Sequence, residues 1–395
     1  MTALIIVLII LIVFLFFLDF KLGKSRHLRN PRTIPLQETS GDYHLYKNGS
    51  ALYEDLFQDI VNARHQVHIL FFLVDNDYIS ENFLDILKSK AKEGVSVRLI
   101  LDRIGGYKFN KKVRMDLKKA GVDFQFAEKP GFPYFFYRLQ RRNHRKITVI
   151  DGEIGYVGGF NIGKNYIGET AKFGNWRDYH LRLRGPVVSQ LHTIFLDDWY
   201  LATGQKDEAS ISNQEEGTHK IRIVPTDGVE LEDEFDRMIQ SAEHEILIGT
   251  PYFIPTQRIQ LALLNALDRD VSLHIMIPMK ADHPFVKEAA IPYLKEMHAS
   301  GAQVHFYDAG FYHSKTIIID GNFADIGTAN FDRRSLFLNK EVNTYVYDPS
   351  FISDLKSMYF DDAADAVPFD EHWLKRRSPA TRINQIIAVL LRPFL

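Results

Sequence analysis

Residues 144–161 read HRKITVIDGEIGYVGGFN and residues 313–330 read HSKTIIIDGNFADIGTAN, with His, Lys, Asp, Gly and Asn at the same offsets. A single His two residues before a Lys is weak evidence, since a strand histidine is more often a packed or surface side chain. Two complete copies in register indicate a duplicated chain. The β-branched runs in KITVI and KTIII read as strands. A strand's period of two then sets His144 with Lys146, and His313 with Lys315, on one face.

The duplication extends outward from these motifs. Each is preceded by an apolar strand (HILFFLVD at 68–75, EILIGTPYFIP at 245–255), a helix-like stretch, and a second strand (SVRLILD at 96–102, SLHIMIP at 272–278). A third strand follows Ala-Gly or Ser-Gly (VDFQFAE at 122–128, AQVHFYD at 302–308). Strands of continuous Val, Ile, Leu and Phe alternating with amphipathic helices predict an α/β sheet covered on both faces. The expected domains are residues 40–202 and 220–395, the second with an apolar tail. The aperiodic polar stretch TGQKDEASISNQEEGTH at 203–219 is the linker between them.

The 395 residues leave room for both halves to bury cores, and 46% hydrophobic with 25% charged residues is ordinary for a globular chain. A formal net charge of −2 gives no general attraction to polyanions, so nucleic acid is not an expected partner. With no cysteine, disulfides, thiolate metal sites and cysteine nucleophiles are all excluded. From Thr2 to Leu18 the chain is uncharged and almost wholly Ile, Leu, Val and Phe. As a helix this run spans about 26 Å, close to a bilayer's hydrocarbon core. There is no basic segment before it and no small-residue cleavage site after it, so residues 2–20 are expected to be an uncleaved transmembrane anchor. The segment 21–39 carries Lys21, Lys24, Arg26, Arg29 and Arg32. By the positive-inside rule this basic juxtamembrane linker predicts a single-pass protein of the cell membrane with its catalytic domain in the cytoplasm.

Two His, two Lys and two Asn suffice for phosphoryl transfer without a metal or other cofactor. A neutral imidazole can attack phosphorus to give a phosphohistidine, while a second, cationic imidazole protonates the departing alkoxide and then deprotonates the incoming alcohol. Lys146, Lys315, Asn161 and Asn330 would hold the phosphate oxygens. A magnesium or zinc site is not expected, because clustered carboxylates are lacking and the lysines would repel a divalent cation. Asp151 and Asp320 close the two motifs; they count among the candidate catalytic residues, although turn-capping is the more ordinary role for an Asp after a strand.

These paired motifs resemble those of the phospholipase D superfamily over about residues 40–395. The resemblance implies a duplicated domain, two mixed sheets flanked by helices about a pseudo-twofold axis, with both motifs meeting in one site. It further implies that His144 is the nucleophile and His313 the general acid and base. In that family a downstream acid orients each imidazole: Glu341 lies 28 positions after His313, whereas the same offset from His144 falls on Lys172. Asp178, in NWRDYHLRL, is the nearest acid and is assigned that part in the first half. TPYFIPT at 250–256, IPMKADHP at 277–284, NWRDYHLRL and the apolar carboxyl terminus are similar to bacterial cardiolipin synthases, and the single anchor resembles the minor type of Gram-positive bacteria. Such a resemblance implies transfer of a phosphatidyl group from one phosphatidylglycerol, the donor, to the glycerol hydroxyl of another, the acceptor.

Between Lys129 and Lys146 inclusive the first half carries six basic residues, no acid and several aromatics, where the second half has only GFYH. Aromatics mixed with Arg suit the headgroup zone of a phospholipid bilayer. Phe132, Phe135, Phe136 and Arg138 are therefore expected to dock the site onto the membrane. The competing functions are a hydrolase releasing phosphatidic acid, a nuclease, which a neutral anchored chain disfavours, and an inactive scaffold, which two intact motifs disfavour.

Overall fold

A computed structural model describes residues 2–208 and 216–376, together with 384, 385, 387 and 388. The expected linker at 203–219 falls between the helix Val187–Thr203 and the strand His219–Asp227. Residues 209–215 and most of the apolar tail at 382–395 lie outside the described residues.

The duplication is visible in the strand order. From the outer edge inward, the first half orders its strands Asp123–Ala127, Ser96–Asp102, Gln66–Phe71, Ile147–Ile150, Ile154–Gly158, His180–Arg184 and Thr39–Tyr46. In the second half the same order is Gln303–Tyr307, Ser272–Pro278, Glu245–Gly249, Thr316–Ile319, Phe323–Gly327, Lys340–Val346 and His219–Asp227, with Val367–Pro368 added at the rim. In both halves the three outer strands run parallel and the inner ones antiparallel. The two mixed sheets join edge to edge where Thr39–Gly41 pairs antiparallel with His219–Ile221, so that one continuous sheet has pseudo-twofold order.

Burial on both faces explains why these strands alternate so little. Ile147, Val149, Leu181 and Leu183 of the first half share one apolar cluster with Ile223, Leu247, Ile318 and Val342 of the second. Each Val, Leu or Ile fully buried contributes roughly 1.5–3 kcal/mol, so this shared core welds the halves and fixes the two motifs relative to each other. Separate clusters fill the outer part of each half. Side-chain caps start the covering helices: Asp77 Oδ1 accepts from Ser80 N–H at 3.0 Å, and Thr256 Oγ1 accepts from Ile259 N–H at 3.2 Å.

The expected anchor is the start of one helix, Thr2–Arg29, long and apolar enough to cross a membrane, with residues 4–17 largely exposed. It runs unbroken past Leu18, so the expected juxtamembrane linker is helical as far as Arg29. Its polar end docks on the body: His27 Nε2 lies 2.7 Å from the Asp227 carbonyl, and Lys24 sits 4.5 Å over the Phe337 ring. The helix Phe135–Gln140 packs beside it, with Phe136 against Phe16 and Phe20, while Tyr137 N–H donates to Asp19 at 2.9 Å.

Candidate active site

Each strand of the motifs begins just after its lysine, at Ile147 and Thr316, so His and Lys stand on the approach to the strand instead of within its regular pleat. That approach is held by the other half. His144 N–H donates to Lys340 C=O at 2.9 Å and Lys340 N–H donates to Arg142 C=O at 2.9 Å. In the mirror position His313 N–H donates to Arg177 C=O at 2.8 Å. These backbone pairs set the next residue of each opposing segment, Glu341 or Asp178, beside the imidazole.

The orienting acids are consequently exchanged between halves. His144 Nδ1 lies 2.9 Å from Glu341 Oε2, and His313 Nδ1 lies 2.7 Å from Asp178 Oδ2. Nothing is missing at Lys172, which rests over the Phe173 ring. The loop between motif and acid is six residues longer in the first half (178 − 144 = 34 against 341 − 313 = 28), and the fixed offset therefore misses its acid. Both carboxylates are wholly buried. Glu341 also accepts hydrogen bonds from Thr328 Oγ1 at 2.6 Å, Ser335 Oγ at 2.9 Å and Asn339 Nδ2 at 3.1 Å, which offset the cost of its burial. Asp178 fits only because residue 159 is glycine: a Cβ there would stand 2.1 Å from Asp178 Oδ1. Thr328, at the matching offset of the second motif, instead lends its hydroxyl to Glu341. With each Nδ1 turned to a carboxylate, each Nε2 is the nitrogen left to face substrate.

Both histidines line one cavity of about 510 Å³, together with Asn161 and Asn330. Burial, reinforced for His313 by Lys315, favours neutral rings: His144 is held below the ordinary imidazole range and His313 is pushed down to about 4. Lys146 and Lys315 are buried beneath the imidazoles and are not part of the cavity wall. Lys146 Nζ donates to His144 C=O at 2.8 Å, and Lys315 Nζ lies 3.6 Å from Asp178 Oδ2. Desolvation pulls the two ammonium groups down to about 7 and about 8, against the opposing pull of Glu341 and Asp178. Asn161 is engaged with Leu73 N–H and Tyr166 Oη, whereas the buried Asn330 Oδ1 has no partner.

Asp151 and Asp320 stand apart from this cluster. Asp151 accepts backbone N–H groups of Arg64, His65 and Gln66, each at 2.8 Å, and Asp320 does the same for Glu243, His244 and Glu245. Both adopt positive φ, 52° and 53°, at a turn. They brace the ends of the neighbouring strands, and the candidate catalytic role for them is corrected accordingly. Arg142 and Arg334, which the sequence reading passed over, do line the cavity. Arg142 is held by Asp102 at 2.9 Å and leaves its buried Nε unpaired; the basic run QRRNHRK was its only signal.

The membrane-docking candidates divide. Phe132 is 85% exposed and stacks on Phe135, 39% exposed, at 5.6 Å, whereas Phe136 faces the anchor helix. Arg138 keeps its side chain near the loop, 3.5 Å from Phe132 C=O. Arg141, Arg142 and Arg145 turn inward to Asp227, Asp102 and Asp198, and with the buried Lys146 four of the six basic residues serve the protein interior.

A family model described as "Cardiolipin synthase, PLD-like domain" matches residues 56–199 and 235–362, one segment in each half. The minor cardiolipin synthase ClsB of Bacillus subtilis is 42% identical over 346 residues, covering 87% of each chain. A cardiolipin synthase of Staphylococcus aureus is 37% identical over 369 residues, 90% of this chain and 74% of that one. Among solved structures, phosphatidylserine synthase of Haemophilus influenzae superposes with a TM-score of 0.70 over 94% of this chain and all of the other, at 14% identity, a likeness of fold. The chain belongs to the cardiolipin synthase family of enzymes with a duplicated phospholipase D-like domain.

Proposed function

We propose that this enzyme moves a phosphatidyl group between two phosphatidylglycerol molecules, the donor and the acceptor, yielding cardiolipin and glycerol. The observation that carries the reading is the pair of carboxylate-oriented imidazoles, His144 on Glu341 and His313 on Asp178, facing one cavity. His144 Nε2 attacks phosphorus; the P–O bond to glycerol breaks, and protonated His313 gives its proton to the departing oxygen. The phosphatidyl group then sits on His144. The hydroxyl of a second phosphatidylglycerol attacks phosphorus, its proton passes to His313, and the P–N bond breaks to restore His144. Binding an anionic phosphodiester favours the His313 cation that burial alone disfavours. Asn161 and Asn330, joined by Arg142 and Arg334 on the wall, supply donors to the phosphate oxygens, and Lys146 and Lys315, buried behind the imidazoles, add positive charge.

Full-length enzyme in mixed micelles containing phosphatidylglycerol alone should produce cardiolipin and glycerol in equal amounts. Phosphatidic acid as the main product would establish a hydrolase instead.

Phe132, Phe135 and Arg138 support docking of the site on the cytoplasmic face of the cell membrane, because the helix carrying Phe135 packs beside residues 16–20, where the apolar run ends. Lipid would then reach the cavity past the apolar wall of the first half. A Phe132→Trp variant reconstituted in bilayers should lose at least about half of that tryptophan's emission when ring-depth brominated lipids are added. Emission unmoved by bromolipid would show that the loop stays in water.

A further inference from the structure

The cavity is duplicated in its histidines but not in its walls. In the first half the loops after Gln66–Phe71 and Ser96–Asp102 contribute Phe72, Leu73 and Ile104, all without charge, and Phe72 lies 5.2 Å from the His144 ring. On the opposing wall the loop after Ser272–Pro278 contributes Asp282 and His283, and the loop after Glu245–Gly249 contributes Tyr252. Tyr252 Oη donates to Asp282 Oδ2 at 2.5 Å, and His283 N–H donates to Asp282 Oδ1 at 2.8 Å. The His283 ring, 70% exposed, stands 6.3 Å from the Tyr252 ring.

An acid in a cavity that takes a phosphate anion opposes that binding unless it engages another part of the substrate. Asp332, the other carboxylate among the lining residues, is accounted for, because it caps the helix Arg333–Phe337. Asp282 has no such task in the proposed chemistry. Its electrostatic influence reaches His313 and Lys315 in the second half's motif. The geometry points to a headgroup subsite formed by Tyr252, Asp282 and His283, which binds the uncharged vicinal diol of a glycerol headgroup beside His313.

Each Asp282 oxygen already accepts one hydrogen bond and retains a lone pair for a hydroxyl, so two adjacent hydroxyls can be held together. The His283 ring adds a further polar partner. An ammonium headgroup fits less well, because Arg142 and Arg334 on the wall, with the two lysines buried behind the imidazoles, already surround this cavity with positive charge. This inference rests on the transfer reading. It places the alcohol, departing or arriving, against the imidazole that must exchange a proton with it, and it assigns the choice of acceptor to the second half.

The test is a partition experiment, which reads selectivity independently of how much enzyme is active. Full-length enzyme in phosphatidylglycerol micelles is offered radiolabelled glycerol, 1-propanol and ethanolamine together, and the three labelled phosphatidyl products are counted. Wild type should favour glycerol, and Asp282→Asn should lower the glycerol-to-propanol ratio by about tenfold. Should Asp282→Asn fail to fold, His283→Ala, which alters an exposed ring, should lower the same ratio by about threefold. Ratios unchanged in the folded variants overturn the subsite. A wild-type preference for ethanolamine that Asp282→Asn abolishes overturns the diol in favour of an ammonium site. Wild type that yields phosphatidic acid and no transfer product overturns the transfer reading itself, and this inference with it.

Discussion

His144→Ala will lower phosphatidyl transfer by about 10⁴-fold or more, and His313→Ala by a similar factor, but the two losses will separate when the leaving group is changed. An aryl phosphodiester expels its phenolate without help from an acid. With that substrate His313→Ala should give a burst of one phenolate per site and then stall with a covalent adduct, because no base remains to activate the second alcohol. His144→Ala should give no burst. Mass spectrometry of the quenched protein, digested at alkaline pH to preserve phosphohistidine, should place the adduct on His144. An adduct on His313 would exchange the roles.

Much of this site was legible in the sequence because the duplication supplies an internal control. Two matching motifs identify the histidines and lysines, and the β-branched runs after them read as the strands Ile147–Ile150 and Thr316–Ile319. What depends on contacts between the halves was not legible. The backbone pairs from His144 to Lys340 and from His313 to Arg177 cross the pseudo-twofold axis, and no local pattern records which strand will meet which. The exchange of Glu341 and Asp178 follows from those pairs. Counting a fixed offset found one acid and missed the other because loop length is free to vary where only the strand ends must superpose. Similarly, Asp151 and Asp320 share the spacing of chemical residues, yet each caps three backbone N–H groups, a role that repeats with the fold as faithfully as a catalytic one. The basic run before His144 looked uniformly suited to a membrane surface, but buried carboxylates on distant segments claim Arg141, Arg142 and Arg145.

The exchange of acids makes the second large prediction directional. Glu341→Gln removes the carboxylate from His144, the proposed nucleophile in the other half, so it should slow the phenolate burst from an aryl phosphodiester by about 10²–10⁴-fold. Asp178→Asn removes it from His313, so it should leave that burst within a fewfold of wild type while depressing alcohol-dependent turnover by a comparable 10²–10⁴-fold, about what loss of an oriented acid–base partner costs. Acids serving their own halves would give the opposite pattern. The pH profile adds a sign. Asp178 raises the pKa of Lys315, which burial still holds down at about 8, and the charged ammonium exists below that value. Removing Asp178 lowers it further and lowers His313, the proposed acid, in the same direction, so the alkaline limb of kcat/KM, which reports the free enzyme, should move to lower pH. Glu341 acts likewise on Lys146, held at about 7, and Glu341→Gln should shift its limb in the same direction. A limb moving upward in either variant would mean that the carboxylates do not sustain the buried ammonium groups, and that the phosphate's positive surroundings come from Arg142 and Arg334 instead.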